Sequence, residues 1–351
     1  MSGLITDGVR LVGLATTVPA NREDNTQLAS LSEKQRAEIV GQVGIRYRHV
    51  ANGSITASDL CADAAERLLR QLNWNANEIG LLVFVSQTPD HLVPGSATQL
   101  QHRLGLPQHC LSIDVNQGCA GYVYGMSIVA GMMKTYGIGK ALLLVGDTIT
   151  KMVSRSDNSI WPIFADAGSA TAFLLDEQAP PMRFLLGSNG SDFKAIHVPD
   201  GGFRNQTTHS SLVENHISDG VKRRPDQLTM NGQAVFTFGL STVAASITSL
   251  LKDVHMTASD FDHLILHQAN RLLNDSIVRK TGFNKDQAPS SLYDHGNTSC
   301  ATIPVTMVSQ LSDQLSTRKL KLLLSGFGVG LSWGNVILET EKVTVLPMNH
   351  L

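Results

Sequence analysis

The amino-acid sequence predicts an α/β fold made of two copies of one unit, each built on a mixed, mostly parallel sheet, stacked in five αβαβα layers. Near-continuous apolar runs, too continuous for half-exposed strands, alternate with helical stretches. That alternation recurs with the same spacing in both halves of the 351 residues. The runs also end in glycine, histidine or asparagine just before helices begin, the junctions where α/β folds gather ligands.

In the first half, residues 1–178, "LLVFVSQ" (Leu81 to Gln87) is followed by a helix and then by "DVNQGCAGYVYGMSIVAG" (Asp114 to Gly131), an extended segment turning into a small-residue helix. Two more strand-like runs follow, "ALLLVGD" (Ala141 to Asp147) and "ATAFLL" (Ala170 to Leu175). In the second half, residues 179–351, "HLILHQ" (His263 to Gln268) leads through a helix to "YDHGNTS" (Tyr293 to Ser299). Another helix, "LKLLLSG" (Leu320 to Gly326) and "LSWGNVIL" (Leu331 to Leu338) complete it. Gln87 lies 32 residues before Cys119 and His267 lies 30 before Asn297; the next apolar runs begin 22 and 23 residues later. Phe203 to Gln227 is polar and aperiodic, a surface insertion or lid.

The chain is 42% hydrophobic and 17% charged, enough for a real core, and its net charge of −2 provides no basic field for nucleic acid or anionic lipid. No membrane span is read, and the start "MSGLITDGVRLVGLATTVPANRED" lacks the pattern of a secretory leader, so a cytoplasmic protein is expected. Cys61, Cys110, Cys119 and Cys300 are scattered without a CxxC or a neighbouring histidine at metal spacing, so free thiols, no metal and no cofactor are expected.

Cys119 in "NQGCAG" is either a small buried hydrophobe or a nucleophile. Its flanking glycines permit a sharp turn and a close backbone approach, and a thiol at a helix N-terminus feels a dipole that lowers its pKa. His267 and Asn297 read alone are a structural histidine and a helix cap. The repeat argues otherwise, because it brings both strand-to-helix junctions to one pseudo-symmetric centre. "SGFGVGLSWG" (Ser325 to Gly334) lacks the third glycine of a dinucleotide loop, and strand-like residues follow it. It is read instead as a turn that aims a backbone N–H at the sulfur's reaction partner, half of an oxyanion hole.

In order, "GLATTVPANREDN", "GIRYRHVA", "DVNQGCAG", "HQAN", "HGNTS" and "GFGVGLSWG" resemble the ketoacyl-ACP synthase III enzymes of the thiolase superfamily over nearly the whole chain. The resemblance implies a thiolase-like fold and a catalytic triad of Cys119, His267 and Asn297. It implies acyl transfer to Cys119 and then decarboxylative condensation with malonyl-ACP, giving a 3-ketoacyl-ACP. The N–H groups of Cys119 and Val329 would form the oxyanion hole, and Phe327 would keep the malonyl carboxylate in an apolar setting. Acyl groups would arrive on the phosphopantetheine of CoA or acyl carrier protein, and the protein would be a homodimer.

Departures from the family pattern bear on the substrate. Val329 replaces a glycine. The positions that grip the adenine and phosphates of CoA hold Glu38, Gln42 and Asn158, which implies weak use of acyl-CoA. Val93 stands where a phenylalanine often reaches across the dimer to close the partner's acyl pocket, which implies room for a longer or branched chain, partly filled by Trp161. Arg271, Arg279 and Lys280, on the helix after His267, would meet the acidic carrier protein. Two other readings are an acyltransferase that moves the Cys119 acyl group to an alcohol or amine, and a non-catalytic subunit of a heterodimeric synthase. Members of the first kind tend to replace the asparagine by an acidic residue and members of the second to lose the cysteine or histidine, and this chain keeps all three.

Overall fold

In the computed structural model, which describes residues 3–351, the apolar runs become strands buried on both faces: Ile79–Val85 and Lys140–Asp147 are almost entirely solvent-free. Residues 1 and 2 of the first predicted half lie outside the described residues. One sheet is ordered Thr344–Val345, Val9–Val18, Ala167–Leu175, Lys140–Asp147, Ile79–Val85 and Leu111–Val115, with Asn349–His350 also on Val9–Val18. The other is ordered Leu4–Thr6, Met182–Ser188, Ser332–Thr340, Leu320–Gly328 and His263–Leu266.

Both sheets are mixed. Parallel pairing joins Ile79–Val85 to both its neighbours, but in the second sheet only His263–Leu266 and Leu320–Gly328 run parallel. The reason is local: a three-residue link, Val329 to Leu331, joins Leu320–Gly328 to Ser332–Thr340, and so short a connection allows only antiparallel pairing.

Between the sheets lie the Gly121–Tyr136 and Thr302–Thr317 helices. Their buried faces (Tyr122, Met126, Val129 and Met133; Ile303, Met307, Leu311 and Leu315) share one core with Leu143 and Val83 of one sheet and Leu322, Leu324 and Val336 of the other. The Ala57–Gln71 and Ser96–Arg103 helices cover one outer face, and the Ala244–Asp253 and Arg271–Thr281 helices the other, which completes five layers. The halves 1–178 and 179–351 are not separable bodies. Leu4–Thr6 pairs with the second sheet, while Thr344–Val345 and Asn349–His350 pair with the first.

Against the expectation of no span, the continuous helix Gly232–Asp253, with mean hydropathy 1.7, is long and apolar enough to cross a membrane. Here Phe238, Val243, Ala244, Ile247 and Leu250 pack instead on Leu264, Leu273 and Leu323 of the second sheet and its outer layer. Within the segment Phe203 to Gln227, Asn215–Ser218 and Val221–Arg223 form an exposed hairpin. It is clasped to the body by a bridge from Val221 to Asp157 and by an Arg223 ion pair to the fully buried Asp157 at 2.9 Å.

His49 stacks on His295, with ring centroids 5.7 Å apart, and lies 5.2 Å from His350. Burial pushes both His49 and His295 down to about 4, from an ordinary 6.5. Between those values the unfolded chain binds more protons than the folded one, so stability falls as pH drops from about 6.5 to about 4. The melting temperature should decline between about pH 7 and about pH 5, and a flat profile there would contradict this burial of neutral imidazoles.

Candidate active site

Cys119 sits just before the Gly121–Tyr136 helix, in a tight turn closed by the Gly121 N–H bonding the Gly118 carbonyl at 2.6 Å. The end of the Leu320–Gly328 strand lies directly against it. A Cβ on Gly328 would lie 2.9 Å from the Cys119 sulfur, and one on Gly326 would lie 2.9 Å from Ala120 Cα, so side chains at 326 and 328 would push strand and nucleophile apart. The Val329 backbone N–H favours negative charge on the Cys119 sulfur. Val329 itself has no positive φ; that duty falls on Gly330, at 139°, so a β-branched residue at 329 keeps its N–H aimed at the sulfur.

His267 ends the His263–Leu266 strand, its N–H bonding the Ser325 carbonyl at 2.7 Å and its carbonyl accepting from the Asn274 amide at 3.0 Å. Nδ1 is engaged by Thr302 Oγ1 at 2.7 Å, which leaves Nε2 for the cavity. Phe327 stands edge-on to the ring at 5.4 Å. Asn297 is fixed at both ends of its backbone, its N–H on the Ile163 carbonyl and its own carbonyl accepting from Ala165. Its Oδ1 accepts from the Ser299 N–H at 2.9 Å, so its Nδ2 hydrogens remain to be donated.

Cys119, His267, Asn297, Phe327 and Val329 line one cavity of about 650 Å³. Its wall is largely apolar, with Ile149, Met152, Phe164, Ile196, Leu228 and Met230. His197, Val198, Asp200, Gly201 and Gly202 also line it, as do Thr207 and Asp226, so two residues of the predicted insertion are cavity wall.

Trp161 does not line this cavity. Its indole is buried under the guanidinium groups of Arg155, at 4.4 Å, and Arg48, at 5.0 Å. Arg48 is wholly buried, so an aromatic face beside it offsets part of its lost hydration. Val93 is 83% exposed, and the neighbouring Leu92 lines the cavity instead. Arg271 is half-buried against Gly44, one residue from the cavity-lining Asn270, whereas Arg279 and Lys280 lie about 12 Å further along the helix, in its last turn. The three cations therefore do not form one rim. Glu38 and Gln42 are exposed, and Asn158 Nδ2 is occupied by the Ser30 carbonyl at 2.9 Å beneath Gly220 of the hairpin.

The sequence reading missed Ser299 and Thr302. The Ser299 side chain favours negative charge on the Cys119 sulfur. Both lie in or just after the "HGNTS" run, and their spacing on the Asn297 loop was the available signal. It also expected the helix dipole to lower the Cys119 pKa. Burial outweighs the dipole: it, and then the charge of Asp147, push the thiol up to about 12. Burial likewise pushes His267 down to about 3. The resting pair is thus thiol and imidazole, both uncharged.

Duplicated α/β halves with a cysteine and a histidine–asparagine pair at their shared cavity define a thiolase-type protein. The model of the 3-oxoacyl-(acyl-carrier-protein) synthase III family matches residues 113–190, and that of its C-terminal part matches residues 251–340. The chain is 31% identical over 339 residues to the beta-ketoacyl-(acyl-carrier-protein) synthase III of Prochlorococcus marinus, covering 95% of this chain and 97% of that one. It is 29% identical over 331 residues to that of Neisseria meningitidis, with 94% and 98% covered. The crystal structure of a 3-oxoacyl-(acyl-carrier protein) synthase from Burkholderia xenovorans superposes with a TM-score of 0.93 at 32% identity, covering 99% of both chains. The chain belongs to the ketoacyl-ACP synthase III family of the thiolase superfamily.

A buried thiol near 12 gains thiolate about tenfold per pH unit throughout the accessible range. Alkylation of Cys119 by iodoacetamide should rise with that slope from about pH 7 to about pH 10; a plateau near neutrality would show a preformed thiolate.

Proposed function

We propose that this protein is a decarboxylative condensing enzyme that forms 3-ketoacyl-ACP. The observation that carries the reading is one largely apolar cavity that Cys119, His267 and Asn297 all line. Cys119 Sγ attacks the donor thioester carbonyl as its proton passes to His267, and the oxyanion is met by the N–H groups of Cys119 and Val329. The donor's C–S bond breaks and its departing thiolate takes the proton back from His267. Malonyl-ACP then binds with its thioester oxygen on His267 Nε2 and Asn297 Nδ2. Carbon dioxide leaves, the enolate carbon attacks the acyl-Cys119 carbonyl, and the cysteine sulfur departs and regains a proton from solvent.

Acyl carrier protein is the macromolecular partner, and Arg271, beside the cavity-lining Asn270, is the cation best placed to meet it. The donor is acyl-ACP in preference to acyl-CoA: Glu38 and Gln42 supply no cation for nucleotide phosphates, and the Asn158 amide is taken up by the Ser30 carbonyl beneath Gly220 of the hairpin. The wall formed by Met152, Ile196, Leu228 and Met230 favours chains longer than acetyl. The enzyme works as a cytoplasmic homodimer, joined along the edge strand Leu111–Val115, where Leu111 is exposed beside an unpaired sheet edge. In such a dimer Val93 would help close the partner's pocket.

Intact-mass measurement with matched acyl-ACP and acyl-CoA donors should show a mass gain that Cys119→Ala abolishes and that ACP delivers faster. Equal or faster labelling from CoA would refute the donor assignment. Asn297→Ala should still acquire the acyl group but lose condensation by about 100-fold or more, the usual effect of removing one oxyanion donor, whereas His267→Ala should lose condensation to the same extent and also acquire the acyl group more slowly, because His267 takes the Cys119 proton. Discharge of acyl-enzyme onto an alcohol without loss of carbon dioxide would overturn the condensing reading.

A further inference from the structure

The strand Lys140–Asp147 ends in a carboxylate with no solvent exposure, which the condensation steps above do not use. Burying a carboxylate is costly unless donors satisfy it. Asp147 Oδ1 accepts from the Gln87 N–H at 2.7 Å, the Ser86 hydroxyl at 3.0 Å and the Thr88 hydroxyl at 3.2 Å. Its Oδ2 accepts from the Cys300 thiol at 3.2 Å. No basic side chain pairs with it among the described residues, so its charge is balanced by these four donors alone.

The donors come from two segments that each adjoin residues next to the reacting groups. Ser86 to Thr88 follow the Ile79–Val85 strand, and the Gln87 side chain packs on Gly118, the residue before the nucleophile: a Cβ on Gly118 would lie 2.6 Å from Gln87 Oε1. Cys300 follows Ser299 on the loop that presents Asn297. It also lies against the start of the nucleophile helix, its Cβ 3.3 Å from where a Cβ on Gly121 would be. Burial and the neighbouring Asp147 charge hold the Cys300 thiol well above its ordinary value, so this second sulfur serves as a hydrogen-bond donor and not as a nucleophile.

We infer that Asp147 is a positioning residue for the reaction: one buried carboxylate, through Gln87 on one side and Cys300 on the other, ties the support of the nucleophile to the loop carrying Asn297. Its second effect is electrostatic. The titratable groups that face it are Cys119, Cys300, Cys61 and Asp166, none of them cationic. A fixed anion beside Cys119 disfavours a second one, so the sulfur keeps its proton until a donor thioester arrives to accept the attack. The inference rests on the proposed role of Cys119, yet it predicts behaviour of that thiol that is measured without any condensation.

Asp147→Asn keeps an oxygen for the Gln87 N–H and removes the charge. In this variant iodoacetamide should label Cys119 about tenfold faster at about pH 8, a shift of about one unit in the pH profile, with Cys119→Ala locating the label by mass. The condensation kcat should fall about tenfold with KM changed less than about twofold, because geometry and not substrate binding is disturbed. Cys300→Ala leaves the charge and cuts the tie, so its alkylation profile should match that of the unaltered protein while its kcat falls. Unchanged labelling and unchanged kcat in Asp147→Asn would overturn the inference. If that variant does not fold, an unaltered kcat in Cys300→Ala overturns it. Loss of acylation by all donors in the unaltered protein would instead sink the proposed function and leave the alkylation result standing.

Discussion

Everything at the site depends on how two helices are trapped between two sheets. Gly121–Tyr136 and Thr302–Thr317 each follow a junction that bears a polar group, Cys119 in one case and Asn297 in the other. Both bury a continuous apolar face against the other and against the sheets. Burial of this kind is the largest favourable contribution to folding, and close packing leaves the helices little freedom to slide. Once they are seated, their N-terminal ends are fixed relative to each other, and the chemistry at those ends comes from core packing. The strands exchanged at the termini extend this dependence, since neither sheet is complete without residues from the other half.

The close approach has a steric requirement. Gly118, Gly121, Gly326 and Gly328 all lie where an added Cβ would fall under 3.0 Å from a neighbour. Glycine at these places lets the Leu320–Gly328 strand and the Cys119 turn touch backbone to backbone, which brings the Val329 N–H to the sulfur. Val329 is tolerated because its flanking glycines absorb the unusual conformation. The site's polar atoms are oriented in the same way, by bonds made before any substrate binds: Thr302 holds His267, and the Ser299 N–H holds the Asn297 amide. Such preorganised donors cost little reorganisation when charge develops.

The duplicated fold and its three central residues were legible in the sequence because both are written locally. Strand runs show in near-continuous apolar stretches, and Cys119, His267 and Asn297 each end or begin an element at matched spacing. What the letters concealed is set by distant partners. Trp161 reads as pocket lining by its type, yet the buried Arg48, more than a hundred residues earlier, draws it under a guanidinium. Asp147 reads as the end of a strand, and its partners Gln87 and Cys300 are separated from it by 60 and 153 residues. The antiparallel pairing of the last two long strands depends on a link length that only the strand ends define. The neutral state of the thiol depends on burial, which no single junction motif records.

The lining of the cavity bears directly on why a carboxylate would be lost there. Among the described residues it contains no lysine or arginine, and its two histidines include one, His267, that burial holds neutral. A malonyl carboxylate beside Phe327 would find no counter-ion, while the thioester oxygen would meet two neutral donors. Charge is then poorly stabilised on the carboxylate, where it begins, and well stabilised on the oxygen, where it arrives as carbon dioxide departs. A cationic residue at the same depth would bind the carboxylate more tightly and stabilise the ground state more than the transition state, in which that charge is already leaving, and so would slow the chemical step. The absence of basic side chains from this wall and the uncharged state of its histidine are therefore one design feature: the pocket gives the reacting anion a better place to go than the one it starts from.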